Sequence, residues 1–288
     1  MDMREQFVET TTRLLHREPH LALVLADIGT SQFVESGAPA ERVINVGIRE
    51  QLMVGVASGL ALTGFRPIIH SIATFVVERP YEQLKIDLGH QDVGAIVVAH
   101  GASYDYSTSG RTHHAPEDVA LIDSLPGWAV YVPGHPQEVD AILTRVSSQE
   151  GRAYVRLSAQ QNAAAHADGV VRRGEQGTVI AVGPTLDRVL HATADLDVTV
   201  LYVSTIRPFD ADALRASVSR PDIVLVEPYQ EGTSSAEVSA ALVDVPHRLL
   251  AIGVRKIEYR GYGTIADHDR AHGLDESTLR ARIGAFLR

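Results

Sequence analysis

The 288-residue sequence contains no cysteine, one tryptophan and only 6% aromatic residues. Without cysteine, the chain has no disulfide framework, no thiolate metal site and no cysteine nucleophile, and its composition suits a reducing compartment, so we expect a cytoplasmic protein. A basic surplus is missing too, because 26 Lys+Arg stand against 36 Asp+Glu and leave a formal charge of −10. An acidic chain without a continuous basic face is a poor partner for a phosphate backbone, and we predict no nucleic-acid binding.

Long apolar segments are also missing. The longest uncharged stretch, residues 51–65, has 15 residues, whereas a membrane-spanning helix needs roughly 20. The first seven residues, MDMREQF, are charged and contain no apolar core of a signal peptide. We therefore expect neither a secretory signal nor a membrane partner.

Short apolar runs alternate with segments of helical period, which is typical of α/β architecture with parallel strands. The alternation breaks at residues 158–177, SAQQNAAAHADGVVRRGEQG, which we interpret as a linker because they are small, polar and aperiodic. The sequence therefore predicts two consecutive parallel-sheet α/β domains, residues 1–164 and 165–288. Residues 263–275 are expected to form a loop that leads into a final helix.

The predicted elements follow from these periodicities. In the first domain, strands are expected at 21–26, 43–46, 67–70, 95–99, 128–132 and 153–157, and helices at 47–62, 75–89, 116–123 and 136–147. In the second domain, strands are expected at 178–182, 198–203, 223–226 and 248–252, and helices at 186–194, 211–219, 234–242 and 276–286.

Glu50 is the first candidate for chemistry. It lies in NVGIREQ (residues 45–51), where a short strand turns through glycine into a long helix. An isolated glutamate in a first helical turn usually does no more than complement the helix dipole. Here the helix continues as MVGVASGLAL, which has almost no polar face and is expected to be buried on all sides. A carboxyl group entering that environment must be protonated or paired, which makes Glu50 a candidate acid–base group.

Two aromatic residues, Phe75 and Tyr81, form the second candidate feature. They are six residues apart, a spacing that does not place them on one face of a straight helix. They are either ordinary core residues or an aromatic platform for a flat heterocycle.

The third feature is HGASYDYSTSGRTHH (residues 100–114), a long polar loop after an apolar strand. Ligands of open α/β sheets bind at the carboxyl ends of strands. We predict no metal site, because adjacent His113 and His114 tend to point apart and no carboxylate lies at ligand spacing. Hydrogen bonding or proton transfer by these histidines fits better. No G-x-G-x-x-G or Walker A sequence is present to hold a diphosphate.

Together these motifs resemble the C-terminal half of transketolase over nearly the whole chain. The resemblance rests on ADIGTS (26–31), NVGIREQ (45–51), ATF with Tyr81 (73–81), GRTHH (110–114) and TIRPFD (205–210). The sequence is also similar to the β subunits of 2-oxoacid dehydrogenases and to the matching half of 1-deoxyxylulose-phosphate synthases. The interval from Phe75 to Tyr81 resembles transketolase in particular.

The resemblance implies a thiamine diphosphate enzyme with a pyrimidine-binding domain followed by a transketolase C-terminal domain. In this family, the glutamate that matches Glu50 bonds N1′ of the aminopyrimidine, and the exocyclic nitrogen can then remove the thiazolium C2 proton. Glu50 and His113 match the family's catalytic positions. The cofactor-binding positions are matched by Asp27, Glu50, Phe75 and Tyr81. The substrate-binding positions are matched by Arg4, Ser31 and His113, and His100, which lies one position from a further substrate histidine of the family, is assigned to the same group.

The diphosphate- and Mg²⁺-binding GDG…N motif of the family is absent from the chain. The resemblance therefore implies a partner, an N-terminal transketolase subunit that supplies this domain and the Mg²⁺ ligands. We expect an α2β2 assembly with the cofactor between subunits, and an inactive isolated chain.

Two positions depart from the transketolase pattern. Ser109 stands where the family has aspartate, and Ala159, within LSAQQN, stands where it has an arginine that binds the sugar phosphate. Losing a guanidinium removes a bidentate contact to phosphate. The acceptor is therefore expected to be unphosphorylated or to be bound differently, with Arg4 and Arg111 as candidates for compensation.

The sequence is accordingly interpreted as the C-terminal subunit of a split transketolase, which transfers a two-carbon ketol unit from a ketose to an aldehyde. The alternatives are a β subunit of a 2-oxoacid dehydrogenase, a 1-deoxyxylulose-phosphate-synthase-like enzyme, and a non-catalytic transketolase-like scaffold. Retention of both Glu50 and His113 argues against the scaffold.

Overall fold

The computed structural model describes all of residues 1–288. The chain contains twelve β-strands. Numbered along the chain, they are β1 (Leu21–Leu25), β2 (Val43–Asn45), β3 (Arg66–Ile72), β4 (Ala95–His100), β5 (Trp128–Tyr131), β6 (Arg152–Arg156), β7 (Gly169–Arg172), β8 (Thr178–Val182), β9 (Thr199–Val203), β10 (Thr205–Arg207), β11 (Asp222–Gln230) and β12 (Arg248–Val254).

The strands form two sheets. The first has the order β10-β5-β6-β4-β3-β1-β2 and the second has the order β12-β11-β8-β9-β7. All neighbours are parallel except β10 with β5 and β7 with β9, which are antiparallel. Every residue of β1, β4, β8 and β9 is buried, as expected when helices cover both faces of a parallel sheet. The predicted fold class, two parallel-sheet α/β domains, is confirmed.

Eleven α-helices surround the sheets. They are α1 (Met3–Arg17), α2 (Thr30–Glu35), α3 (Glu50–Leu62), α4 (Tyr81–Gln83), α5 (Asp118–Asp123), α6 (Pro136–Ser147), α7 (Leu186–Ala192), α8 (Ala211–Ser217), α9 (Ser235–Ala241), α10 (Ile265–His272) and α11 (Glu276–Leu287). None of these helices is long and apolar enough to cross a membrane.

Helix α1 was not predicted from the sequence, although its N-terminus carries a local signal. The Asp2 carboxylate accepts from the Glu5 backbone N–H, and the Glu5 carboxylate accepts from the Asp2 backbone N–H, both at 2.8 Å. This reciprocal capping box satisfies two of the N–H groups that a helix start leaves unpaired. The helix then buries Phe7 and Leu14 in the same apolar cluster as Val139 of α6.

The structure corrects three predicted segments. The expected linker 158–177 contains β7, and the expected loop 263–275 contains α10, whose capping box joins Thr264 and Asp267. The expected helix 75–89 is divided into a π turn (Thr74–Glu78), α4 and a second π turn (Leu84–His90). Pro80 lies at the break, where it has no N–H to continue the helical hydrogen bonds.

The two sheets are joined by β10, which follows β9 in the chain but pairs with β5 of the first sheet. Arg207 at its end donates to both carboxylate oxygens of Asp123 at 2.6 and 2.7 Å and lies 3.0 Å from Glu237. The second half of the chain therefore contributes an edge strand to the first sheet. A division at 164/165 remains a prediction.

Candidate functional site

The candidate site lies at the carboxyl edge of the first sheet, where β1 to β4 end side by side. Leu25 of β1 is level with Asn45 and His70, and Ile72 of β3 is level with His100 of β4. The segments that leave these ends carry Asp27, Glu50, Phe75 and the loop after His100. The parallel topology thus brings together side chains that are far apart in the sequence.

Glu50 occupies the first turn of α3 and is only 3% exposed. Its Oε1 accepts from Nη1 of Arg79 at 2.9 Å. The sequence left a choice between a protonated and a paired carboxyl group, and the structure pairs it. Because burying an isolated carboxylate is costly, Arg79 gives Glu50 the partner it needs.

Helix α3 is not buried on all sides, contrary to the sequence-based prediction. Leu52 is 48% exposed and Leu62 is 61% exposed, while Ile48, just before the helix, is 70% exposed. Met53, Val54 and Ala57 cover the sheet. Residues Ile48, Leu52 and Leu62 are called the α3 apolar surface below.

Arg79 also covers Phe75, because its guanidinium carbon lies 3.7 Å from the centre of the phenyl ring. A flat, cationic group therefore stacks on Phe75 and donates to Glu50 at the same time. Sequence reasoning missed this arginine, although its position between Phe75 and Tyr81 placed it near the expected platform.

Aromatic contacts extend from Phe75 towards the end of β4. The ring centroid of His113 lies 5.2 Å from that of Phe75 and 5.9 Å from that of Tyr106. The Tyr106 hydroxyl lies 2.8 Å from Nε2 of His100. Glu50, Phe75, His113 and His100, which were predicted separately, therefore lie along one continuous path.

At the far end of this path, three residues have a buried nitrogen without a hydrogen-bond partner: Nε of Arg4, Nε2 of His70 and Nδ1 of His100. The charge of Arg4 acts on both histidines. The two imidazoles stack with centroids 4.9 Å apart. Burial, opposed by a hydrogen bond to the Val98 carbonyl, lowers the pKa of His70 to about 3. Burial, followed by the charges of His70 and Arg4, lowers the pKa of His100 well below its usual value. Both rings are neutral at pH 7 and retain nitrogens that can bond a polar ligand.

His70 is a second residue that sequence reasoning missed. A histidine within the apolar strand RPIIHSI, two residues before a sheet edge, was the available signal. Because side chains alternate along a strand, its ring shares the buried face with Phe7, whose centroid lies 4.4 Å away.

The remaining predicted residues lie at the rim. Asp27 has a positive φ of 70° and its backbone N–H donates to Oδ1 of Asn45 at 2.9 Å, which fixes the turn after β1. Ser31 is exposed on α2 and its hydroxyl bonds Gln32. Tyr81 bonds the Ser124 hydroxyl and packs on the core, and it makes no ring contact with Phe75. The structure thus does not bring Ser31 and Tyr81 into the central path.

Arg111, a candidate to compensate for the arginine missing at position 159, faces two acidic side chains. Its guanidinium donates to Glu117 at 2.6 Å and lies 3.9 Å from Glu258. The backbone N–H of Ala159 donates to Asp105 at 2.9 Å. Arg4 is therefore the cation that remains beside His70 and His100. No three His, Cys, Asp or Glu side chains are grouped to hold a metal ion.

The fold and the site define a two-domain α/β chain with a buried, arginine-paired carboxylate at the carboxyl edge of its first sheet. Residues 1–163 match the family described as transketolase, pyrimidine binding domain, and residues 168–273 match transketolase, C-terminal domain. The chain belongs to the transketolase family, and its correspondence to the C-terminal half of these proteins is confirmed.

Relatives of similar length support this conclusion. The chain is 52% identical to an uncharacterized 33.6 kDa protein in the fasciation locus of Rhodococcoides fascians, over 99% of this chain and 95% of the relative. It is 26% identical to an apulose-4-phosphate transketolase subunit of Actinobacillus succinogenes, over 83% of each protein. A solved structure described as a split gene transketolase, inactive beta4 tetramer, has a TM-score of 0.86 at 23% identity, and the match covers 100% of this chain and 98% of that one.

Proposed function

We propose that this chain is the subunit of a split transketolase that binds the cofactor's pyrimidine, and that the assembled enzyme transfers a two-carbon ketol unit from a ketose to an aldehyde. The observation that carries this proposal is the pairing of Glu50, only 3% exposed, with a group that also stacks on Phe75. Family membership implies thiamine diphosphate, which would supply a carbon nucleophile for this transfer.

The residues present fit an aminopyrimidine ring. A planar group at the place of the Arg79 guanidinium can stack on Phe75 and donate to the Glu50 carboxylate, as the guanidinium itself does. When the ring is bound, Arg79 would have to leave this place, and Glu50 would be the group that holds a proton towards the ring. We propose Asp27 and Tyr81 as further cofactor contacts at the rim.

The far end of the path is the proposed substrate pocket. Arg4, His100 and His113 would bond the oxygens of the sugar, and Ser31 is proposed to add a contact from the rim. The unpartnered nitrogens of Arg4 and His100 support this assignment, because buried polar groups without partners are uncommon except where a ligand or water completes them.

The partner is proposed to be an N-terminal transketolase subunit that holds the diphosphate and the Mg²⁺ ion, in an α2β2 assembly. The α3 apolar surface adjoins Glu50 and lacks a cover within this chain, which supports docking of a second chain beside the cofactor. The relative from Actinobacillus succinogenes is itself named as one subunit of a transketolase. We place the division between the two domains at 164/165, between the two matched regions.

The test is to combine the chain with its diphosphate-domain partner, thiamine diphosphate and Mg²⁺, and to assay ketol transfer from ketose phosphates and free ketoses. Glu50→Gln is expected to lower turnover at least about 10²-fold, while size-exclusion chromatography shows an unchanged assembly. Glu41→Gln changes an exposed glutamate and is the matched control. Full activity of Glu50→Gln would refute the role of Glu50.

A second candidate is a pyruvate-using enzyme of the 1-deoxyxylulose-phosphate-synthase type. The chain is 27% identical to 1-deoxy-D-xylulose-5-phosphate synthase of Thermus thermophilus, and it spans 48% of that protein's length. Pyruvate is therefore included as a donor in the assay. Pyruvate consumption without ketol transfer would replace the transketolase proposal, and no turnover with any donor would favour a scaffold.

A further inference from the structure

A separate cavity of about 190 Å³ lies between the two domains. One wall is the part of the loop that contains Tyr104, Arg111 and His114, and the other consists of the segment after β12 and helix α10. It does not include Glu50, Phe75 or His113, so it is distinct from the candidate active site.

His268 is the main indication that a ligand belongs in this cavity. The residue is 1% exposed, yet neither ring nitrogen has a hydrogen-bond partner. Its ring stacks on Tyr104 at 5.1 Å and meets the ring of His114 edge-on at 5.0 Å. His272 is 4% exposed and also has an unpartnered Nδ1. Buried polar groups are rarely left in this state unless something else completes them.

The charges around the cavity favour an anion. Arg255 and Lys256 line it, are exposed and form no ion pair, whereas Glu117 and Glu258 already face Arg111. Burial, followed by the charges of His268 and Arg255, lowers the pKa of His272 to about 4. The three histidines are not grouped as metal ligands, and the neighbouring cations would repel a metal ion.

We propose that this interdomain cavity binds a small phosphate-bearing molecule, with Arg255 and Lys256 as its cationic contacts and His268 and His272 as its imidazole contacts. Phosphate suits this set because it accepts several charge-assisted hydrogen bonds at once. The size of the cavity accommodates inorganic phosphate or a short phosphomonoester.

The cavity and the candidate active site share one loop. Adjacent His113 and His114 face opposite ways, since His113 contacts Phe75 and His114 contacts His268. A phosphate held against His268 would therefore lie beside His114. The proposed catalytic residue, His113, is the preceding residue of the same loop.

The test follows the imidazole NMR signals of the full chain, with those of His268 and His272 assigned through His268→Gln and His272→Gln. Inorganic phosphate, glycerol 3-phosphate and glycerol are added in separate titrations. The two phosphates are expected to give saturable shifts of the His268 and His272 signals, and glycerol none. Tighter binding of glycerol 3-phosphate would indicate an organic phosphate as the ligand, and tighter binding of inorganic phosphate would indicate the free ion.

The double variant Arg255→Ala/Lys256→Ala changes only exposed cations and is expected to weaken phosphate binding about tenfold or more. Arg260→Ala, an exposed neighbour outside the cavity, and Arg4→Ala, in the proposed substrate pocket, should leave the titration unchanged. Absence of saturable His268 and His272 shifts would overturn the proposal. So would an affinity that the double variant leaves unchanged, or one that falls only in Arg4→Ala.

Discussion

The buried ion pair between Asp118 and Arg156 offers a quantitative test of the fold that supports the site. The two residues are 0% and 1% exposed, and Nε of Arg156 donates to Oδ2 of Asp118 at 2.7 Å. Tyr154 donates to the same oxygen at 2.7 Å. Arg156 also donates to Ser103, which in turn donates to the Pro228 carbonyl of the other domain. One network therefore joins β6, α5, the loop after β4 and β11.

Asp118→Asn keeps the side-chain volume and removes the charge, so it leaves the Arg156 guanidinium buried without its counter-ion. Breaking a buried pair from one side typically costs about 3–5 kcal/mol. We expect about 3 kcal/mol, the lower end of that range, because Arg156 keeps its bond to Ser103. For a chain of 288 residues, whose unfolding entropy is about 0.6 kcal/mol/K, that corresponds to a fall in Tm of about 5 °C.

The assay is equilibrium urea unfolding of the variant beside wild type and Asp92→Asn. Asp92 pairs with Arg152 at 3.0 Å but is 88% exposed, so its variant should change the free energy of unfolding by less than about 1 kcal/mol. Adding Arg156→Met to Asp118→Asn should recover part of the loss, because no lone charge remains buried. A loss in Asp118→Asn no greater than that in Asp92→Asn would refute this account of the network.

Three further predictions concern the site. Arg79→Ala should tighten thiamine diphosphate binding to the assembled enzyme about 1.5- to 5-fold, because ring binding no longer has to break the half-exposed ion pair between Arg79 and Glu50. Binding is measured by calorimetry, and weaker binding by the variant would mean that Arg79 holds the cofactor. The pKa of His70 is lowered to about 3, so unfolding binds a proton below about pH 6.5 and stability falls as the pH drops towards 3. From pH 7 to pH 5 the free energy of unfolding should fall by about 2 kcal/mol through His70. Urea unfolding of His70→Gln should show no such fall, and identical pH dependence of wild type and variant would contradict the lowered pKa of His70. Leu52→Glu, on the α3 apolar surface, should prevent assembly with the partner subunit, as measured by size-exclusion chromatography. The control Val243→Glu, at an 80% exposed position, should assemble normally. Equal assembly of the two variants would show that the partner does not bind the α3 apolar surface.

The fold class and most of the central elements could be predicted from the sequence, because short apolar runs and helical periodicity are local properties. The same holds for the position of Glu50 in the first turn of α3, although the helix begins at Glu50 and not at the predicted residue 47. It holds too for the directions of His113 and His114, since neighbouring side chains diverge along an extended or turning backbone. Helix α10 was missed despite its capping box because the residues that it buries, His268, Asp269 and His272, are polar. Helix α1 was missed although Met3, Phe7 and Leu14 recur at helical spacing and are buried. The edge strands β7 and β10 are short, so their pairing depends on neighbours far away in the sequence.

The sequence by itself determined the class of this protein: a two-domain α/β chain with the motifs of a transketolase C-terminal half and no diphosphate-binding motif. Only the tertiary structure decided that Glu50 is paired with Arg79, that Tyr81 turns to Ser124, and that Arg111 is held by Glu117. Each of these contacts joins groups whose ionic or hydrogen-bonding partner is selected by packing. The same packing places His268 between Tyr104 and His114, because helix α10 meets the loop after β4 only once both sheets are formed.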